Sequence, residues 1–298
     1  MRLIAGSSNL PLAQALSHEL NIPLIDVELT IFANGEKRVW IKEKIDGQDV
    51  VLVQSFSDPV DANIIETLLI IDALERLGAR DIHIVIPWLG YSLQDKVFRD
   101  GEPIAAKMIA KIISHSYVKR VYLVDLHNTS ITGFFDVPTS HTTAMSLFAE
   151  YASSTLGSKN TVVASPDFGG MKRARQFATL LDVDLVNIDK TRNLKTGDVT
   201  AVGLHGDVAD KTVVVYDDII VGGSTVTETA ELLKKEGAKE VHFYSTHGLF
   251  VGNALQRIAE SPVDSVLITN SVAHEKLPTL FKTLNLAPLL AQTLGEWF

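Results

Sequence analysis

Short apolar runs and helically spaced apolar positions alternate along the whole chain. The runs fall at Arg2–Ala5, Val50–Gln54, Ile82–Pro87, Val121–Asp125, Val162–Ser165, Leu185–Ile188, Thr212–Tyr216, Val241–Thr246 and Ser265–Thr269. Runs without polar alternation predict strands covered on both faces. Between them, Ile64–Leu77, Ile104–His115, Gly170–Leu181 and Val226–Glu236 carry apolar residues at helical spacing. The alternation predicts an α/β protein with mainly parallel sheets flanked by helices. No low-complexity linker divides the chain, and the helical region around Thr142–Gly157 is the best candidate boundary, giving domains 1–143 and 144–298.

The two halves resemble each other. Leu74-Glu-Arg-Leu-Gly-Ala-Arg-Asp-Ile-His83 aligns with Leu233-Lys-Lys-Glu-Gly-Ala-Lys-Glu-Val-His242 at an offset of 159, and Leu20–Leu24 aligns with Leu181–Leu185 at an offset of 161. Two matches in nearly one register point to a duplicated domain.

A chain of 298 residues, 46% of them hydrophobic, can bury two cores of ordinary size. A net charge of −9 argues against broad binding to nucleic acid or anionic membrane and leaves phosphates to focused sites. With no cysteine, disulfides, thiolate zinc sites and cysteine nucleophiles are excluded. No segment approaches the roughly 18 apolar residues of a membrane span, and the N-terminal apolar run is too short for a signal peptide, so a cytoplasmic protein is expected.

Candidate chemistry concentrates in the second half. Val213–Tyr216 reads as a strand that delivers Asp217 and Asp218 to its end. Val221, Gly222, Gly223, Ser224 and Thr225 follow as a turn whose backbone N–H groups can curl around an anion at the start of the next helix. That arrangement suits a sugar phosphate, with the two carboxylates turned to ribose hydroxyls or Mg²⁺. A capped strand-to-helix turn is the plainer alternative. By the repeat offset, the first half carries Gln54-Ser-Phe-Ser-Asp-Pro59 where this loop is expected, without paired carboxylates or glycines.

Ser165-Pro-Asp-Phe-Gly-Gly170 repeats the strand, turn and helix start. Asp167 stands at the strand end, ahead of Lys172, Arg173 and Arg175. The turn can cradle a diphosphate while Asp167 reaches a metal, or can simply cap a helix. Asp125 and His127 face one side if their strand continues, where His127 could bind Mg²⁺ or phosphate or serve structure alone. Lys190 and Arg192 open a polar stretch that reads either as a cationic flap over a phosphoryl group or as a hairpin with solvated charges. Phe32, Asn34, Gly35 and Glu36 form an Asn-Gly hairpin turn, a structural signal first and a stacking platform for a base second.

Together these segments resemble the ribose-phosphate pyrophosphokinase family over nearly the whole chain. The carrying motifs are Phe32–Glu36, Pro87-Trp-Leu-Gly-Tyr91 with Gln94-Asp-Lys96, Glu102–Lys107, Asp125-Leu-His127, Gly133–Asp136, Ser165–Gly170, Asp189–Arg192, Gly206-Asp-Val208 and the Asp217 loop. The resemblance implies two duplicated domains of type I phosphoribosyltransferase fold, with the first domain on the ATP side and the second carrying ribose 5-phosphate and a catalytic loop. It implies ATP, ribose 5-phosphate and Mg²⁺, transfer of a diphosphoryl group to the anomeric hydroxyl, and an oligomer at least dimeric with no nucleic acid or membrane partner.

By motif, Lys190 and Arg192 are the expected catalytic residues. Phe32, Asn34, Gly35, Glu36, Gln94 and Lys96 would bind ATP, the Phe32 turn reaching a neighbouring subunit's site. Asp217, Asp218 and Val221 to Thr225 would bind ribose 5-phosphate, and His127 and Asp167 the metal. Three positions depart from the family pattern: Leu93 stands where an arginine is usual, Asn34 where aspartate is common, and Val221-Gly-Gly-Ser-Thr225 where Asp-Thr-Ala-Gly-Thr is common. The competing expectations are a nucleobase phosphoribosyltransferase, which would leave the ATP-type segments without purpose, and a non-catalytic subunit that binds synthetases.

Overall fold

The computed structural model describes residues 1–157, 160–192 and 199–297, and the side chains of all of these except 189–192 and 199–202. Its contacts divide it into two compact units, Met1–Thr143 with Asn270–Ala273 and Asn285–Phe298, and Ala144–Thr269 with His274–Leu284. The segment 144–298 is therefore not one self-contained domain, because its last residues pack with the first unit.

In the first unit the chain runs β1 (Arg2–Ala5), α1 (Leu10–Leu20), β2 (Val27–Ile31), β3 (Lys37–Ile41), β4 (Val50–Val53), α2 (Val60–Arg76), β5 (Ile82–Ile86), α3 (Ala105–His115), β6 (Arg120–Val124) and β7 (Thr139–Thr142). Strands β1-β4-β5-β6-β7 form a parallel sheet, and β2 and β3 pair separately as an antiparallel hairpin. Val50, Leu52, Ile82, Ile84, Ile86, Val121 and Leu123 pack against Ile70, Ile71 and Leu74 of α2 and Ile109 and Ile113 of α3 to make the core.

The second unit runs α4 (Met145–Thr155), β8 (Thr161–Ser165), α5 (Met171–Leu181), β9 (Asp184–Arg192), β10 (Val199–His205), β11 (Thr212–Ile220), α6 (Ser224–Lys235), β12 (Glu240–Gly248), α7 (Ala254–Ala259), β13 (Ser265–Thr269) and β14 (Phe281–Leu284). Its sheet has the order β10-β9-β8-β11-β12-β13-β14, parallel except for β10 against β9. One face is filled by Val226, Ala230 and Leu233 of α6. On the other, Phe177 of α5 stacks on Tyr216 at 4.4 Å, and Phe148 of α4 meets the same ring at 5.7 Å. Helix α8 (Ala287–Gly295) then packs on α1 in the first unit. Among the described residues no helix is long and apolar enough to cross a membrane.

The repeated sequence corners are repeated structures. After α2, Gly78 turns at φ +76° and its carbonyl accepts from Gly47; after α6, Gly237 turns at φ +90° and accepts from Asp210. Only glycine takes such angles without strain. The other matched pair gives Asn21 and Asp182, left-handed C-caps of α1 and α5 at φ +53° and +55°. Strands β7, β10 and β14 lie outside the expected apolar runs. Thr139–Thr142 and the exposed centre of β14 lack the apolar density of a central strand, since edge strands bury only part of their surface.

Candidate active site

In the second unit, β11 runs past the expected end at Tyr216 to Ile220, with Asp217 opposite Ser245 and Ile219 opposite His247 of β12. Asp217 and Asp218 therefore lie inside the strand, not at its end. The extra residues gain parallel hydrogen bonds, a tertiary gain that local apolar density does not reveal. Arg173 Nη1 on α5 donates to both carboxylates, at 3.0 Å to Asp217 and 2.8 Å to Asp218. Burial first, then the charge and hydrogen bond of Asp218, push the Asp217 carboxyl well above its ordinary value of 3.8, with Arg173 opposing. A largely buried carboxylate pair held by one cation can retain a proton.

Helix α6 starts at Ser224, two residues before the expected Val226, so Ser224 and Thr225 supply its first N–H groups. Its N-cap is Gly223, left-handed at φ +79°, and no side chain caps the helix. The first N–H groups of a helix have no intrahelical acceptor, so this end offers donors and a positive dipole to an anion.

The Asp167 turn differs. Asp167 Oδ1 accepts from Gly170 N–H at 2.8 Å, and Ser165 Oγ donates to Asp167 O at 2.6 Å. One carboxylate oxygen thus caps the turn into α5, and the residue is exposed. The backbone of Lys190 and Arg192 lies in β9, opposite Ala201 and Val199 of β10. The side chains of these two expected catalytic residues lie outside the described residues.

In the first unit, β6 ends at Val124 and Asp125 takes a positive φ of 37°, so Asp125 and His127 do not continue the strand face as expected. A sharp turn replaces it. Asp125 N–H donates to Thr142 O at 3.0 Å, and Leu126 N–H donates to His141 Nε2 at 3.1 Å. Burial, opposed by the Asp125 charge, lowers the His141 pKa from 6.5 and favours the neutral ring that can accept this bond. His127 follows, exposed. Asn128 then caps the next turn and donates to Asp95 Oδ2 at 2.7 Å, which brings the His127 loop together with the Gln94 and Lys96 loop. Gln94 is exposed, and the Lys96 ammonium sits 5.1 Å above the Phe98 ring.

Phe32, Asn34, Gly35 and Glu36 form the expected turn between β2 and β3. Phe32 N–H donates to Glu36 O, Gly35 N–H to Phe32 O, and Glu36 N–H to Asn34 Oδ1 at 3.2 Å. Phe32 is 52% exposed, a ring held out in water at a hairpin tip. Lys37, the next residue, reaches back to Glu66 of α2 at 2.5 Å and ties the hairpin to its unit. Burial alone would raise Glu66, but the hydrogen bonds from Lys37 and Ser7 and the Lys37 charge bring it below its ordinary value.

Sequence reasoning did not find the Arg173 bridge, the His141 acceptor or the Lys37–Glu66 tie. A basic residue on a helix, a histidine without a motif and a glutamate inside an apolar helix carry no local signal of a distant partner. The repeat did lead to Gln54–Pro59, and within it Gln54 occupies the place of Asp217. Val50 pairs with Ile82 as Val213 pairs with Val241, and each polar residue lies four positions further on.

Two α/β units, the second with paired carboxylates ahead of an uncapped helix N-terminus, define a protein of phosphoribosyltransferase type. Comparison with known proteins gives the same class. Residues 1–116 match the family model of the N-terminal domain of ribose phosphate pyrophosphokinase, and residues 132–278 match the phosphoribosyl transferase domain. The ribose-phosphate pyrophosphokinase of Thermotoga maritima is 39% identical over 99% of this chain and 94% of its own length. That of Bacillus caldolyticus is 38% identical over 99% and 93%. The crystal structure of phosphoribosylpyrophosphate synthetase from Mycobacterium smegmatis superposes with a TM-score of 0.91 at 35% identity, covering 99% of this chain and 97% of that one. The chain belongs to the ribose-phosphate pyrophosphokinase family and is a transferase of nucleotide biosynthesis.

Proposed function

We propose that this chain moves the β,γ-diphosphoryl group of ATP to the C1 hydroxyl of ribose 5-phosphate. The new bond joins O1 to the β-phosphorus, the α,β-bridging bond breaks, AMP leaves, and the hydroxyl proton is released. The observation that carries this reading is the Asp217–Asp218 pair, bridged by Arg173 and followed by the uncapped start of α6. Asp217 and Asp218 accept from the ribose hydroxyls. The N–H groups of residues 221–225 and the helix dipole hold the 5-phosphate.

On the ATP side, Phe32 stacks on the base, Asn34 and Glu36 bond its edge, and Gln94 and Lys96 hold the phosphates. Lys96 is the nearest cation in that motif to stand in for the arginine absent at Leu93. Lys190 and Arg192 bring positive charge to the transferring group, where positioning and neutralisation matter more than a covalent nucleophile.

The donor set fits Mg²⁺. Among the described residues no cluster of three or more His, Asp or Glu side chains could hold a metal unaided. Isolated hard donors such as Asp167 suit an ion that completes its shell with substrate oxygens and water. Asp167 and His127 would each offer a ligand to a metal ion, which would neutralise charge on the phosphates. The exposed Phe32 tip fits a homo-oligomer, at least a dimer, in which this turn serves a neighbour's site, and the reading is of an enzyme of the cytoplasm.

Incubation with ATP, Mg²⁺ and ribose 5-phosphate should yield AMP and phosphoribosyl diphosphate in equal amounts. Absence of AMP under any divalent metal overturns the proposal, and base-dependent release of diphosphate from phosphoribosyl diphosphate instead would make the protein a nucleobase phosphoribosyltransferase.

A further inference from the structure

Backbone donors of the 221–225 loop serve a phosphate only if their peptide planes are held the right way round. In a trans peptide the carbonyl of one residue and the N–H of the next point in opposite directions, so fixing the carbonyl fixes the donor. Successive carbonyls here are taken by the segment that follows β12. Ile220 O accepts from Leu249 N–H at 2.8 Å and Val221 O from Val251 N–H at 2.9 Å. Gly222 O accepts from Arg257 Nη1 at 3.0 Å. Gly223 O is taken inside α6, by Thr227 N–H at 3.1 Å.

The Thr227 hydroxyl adds a second bond to Gly223 O at 3.1 Å, so of these four only the Gly222 carbonyl is held by a side chain in place of a backbone donor. Arg257 Nη2 donates in addition to Asn253 Oδ1 at 3.3 Å, which fixes the plane of the guanidinium. The same helix α7 supports the loop from below. A Cβ on Gly223 would come within 2.9 Å of Ile258 Cγ1 and 3.3 Å of Ala254 O. Gly223 therefore has no room to tilt toward α7.

We propose that Arg257 is a positioning residue for the sugar-phosphate loop. It holds the Gly222 carbonyl on the α7 side, which turns Gly223 N–H toward the 5-phosphate, and it adds a fixed positive charge behind the loop. This inference rests on the reading of residues 221–225 as the 5-phosphate cradle. A hydrogen bond to a charged donor and its field contribute to anion affinity while leaving the ATP side and the chemical step alone.

The test is steady-state kinetics of the purified full chain with ribose 5-phosphate varied at saturating ATP, and the reverse, for Arg257→Ala, Arg257→Lys and Gly223→Val. Arg257→Ala should raise the KM for ribose 5-phosphate about 10-fold, with kcat and the ATP KM within about twofold. Arg257→Lys keeps the charge and one donor but loses the fork, and should recover to within about threefold of the parent. Arg257 is exposed, and α7 keeps its buried Ala254 and Ile258, so the thermal midpoint should not move. A change of both KM values by the same factor, or a lowered kcat with unchanged KM, would overturn the positioning role. Gly223→Val separates the two layers of the argument. If it raises the ribose 5-phosphate KM selectively while Arg257→Ala does nothing, the brace fails and the cradle stands. If it is not selective, the cradle reading fails and the inference with it.

Discussion

The two units follow one winding plan and fill the same place with opposite chemistry. Four residues beyond matching strand pairs, the second unit has Asp217 and Asp218 and the first has Gln54 and Ser55. Asp217 and Asp218 are bridged by an arginine on α5, at 3.0 and 2.8 Å. Gln54 is fully buried and spends its amide on its own unit, accepting from Ser8 Oγ at 2.7 Å and donating to Glu66 Oε1 at 2.8 Å. Ser55 Oγ donates to Ser271 O at 2.5 Å. A duplicated site has thus become a polar core, and that core anchors a hairpin through Glu66 and Lys37.

The hairpins also correspond. Each lies between the first and second strand of its repeat, β2–β3 in one unit and β9–β10 in the other. In the first unit the chain leaves the sheet after a single bridge between Leu3 and Leu24, and its hairpin stands apart. In the second, β9 pairs with β8 from Asp184 to Asn187 before entering the hairpin that bears Lys190 and Arg192. One copy has Phe32 at its tip and the other has Lys190 and Arg192 in the sequence of its first strand, so the same two elements of each repeat differ.

The sharpest way to break this comparison is to remove Glu66. Glu66→Ala would leave the largely buried Lys37 ammonium, Ser7 N–H and Gln54 amide without their acceptor, and losing one partner of a buried pair costs about 3 kcal/mol. Urea denaturation should report that loss, and the ATP KM should rise as the Phe32 hairpin loosens. The pKa of Glu66 is lowered on folding, so its contribution is present above its ordinary 4.5 and disappears as pH falls through the lower folded value. A cost under about 1 kcal/mol would mean that the network is not an anchor.

The second-unit hairpin should behave in the reverse way, carrying rate and not stability. Charge on the transferring group grows only as the bond breaks, so Lys190→Ala should lower kcat by about 100-fold with little change in thermal midpoint. Lys195→Ala, outside the motif, is the control. Equal small effects at both positions would reduce this hairpin to a surface loop.

At the carboxylates the comparison predicts a trade between stability and affinity. The folded pKa of Asp217 is raised, so the favourable protonated form is complete below 3.8 and is lost as pH rises through the folded value, above which the ionised pair costs stability. Asp217→Asn removes that repulsion and should raise the thermal midpoint of the ligand-free protein. It should also raise the ribose 5-phosphate KM about 10-fold, as expected for losing a charged acceptor. A lowered midpoint would show that the Arg173 bridge outweighs the repulsion.

These contrasts mark where the sequence was informative. The nine apolar runs each became a strand, because parallel strands buried on both faces need continuous Val, Ile and Leu. The duplication was readable at Gly78 and Gly237, where a corner demands a particular backbone angle. Edge strand β7 and the extension of β11 to Ile220 were not readable, since both are set by neighbouring strands. The same holds at the site. Asp217, Asp218 and the glycine turn announce themselves by local chemistry, whereas Arg173, His141 and Glu66 act through partners 15 to 59 residues away. Pairing at such distance leaves no mark on the residues beside it.

The smallest effects should come from the sheet ends, where each unit has an ion pair at a different corner. In the first, Arg80 on the turn into β5 bonds Asp49 ahead of β4; in the second, Lys234 on α6 bonds Asp264 ahead of β13 at 2.7 Å. Asp264 has a further task, since Oδ2 also accepts from Val241 N–H at 2.7 Å. Burial raises its pKa, but the Lys234 and Val241 hydrogen bonds prevail and hold it below 3.8, so its contribution is present above that value and fades as pH falls. Lys234→Ala removes a partly exposed pair that solvent screens, and should cost about 0.5 kcal/mol, less in high salt. Asp264→Ala also strips the Val241 N–H of its acceptor at the start of a buried strand and should cost about 1 kcal/mol more. Arg80→Ala, with the guanidinium in water, should be indistinguishable from the parent by urea denaturation. Equal losses for Lys234→Ala and Asp264→Ala would mean that the ion pair, and not the backbone bond, closes this corner of the second unit.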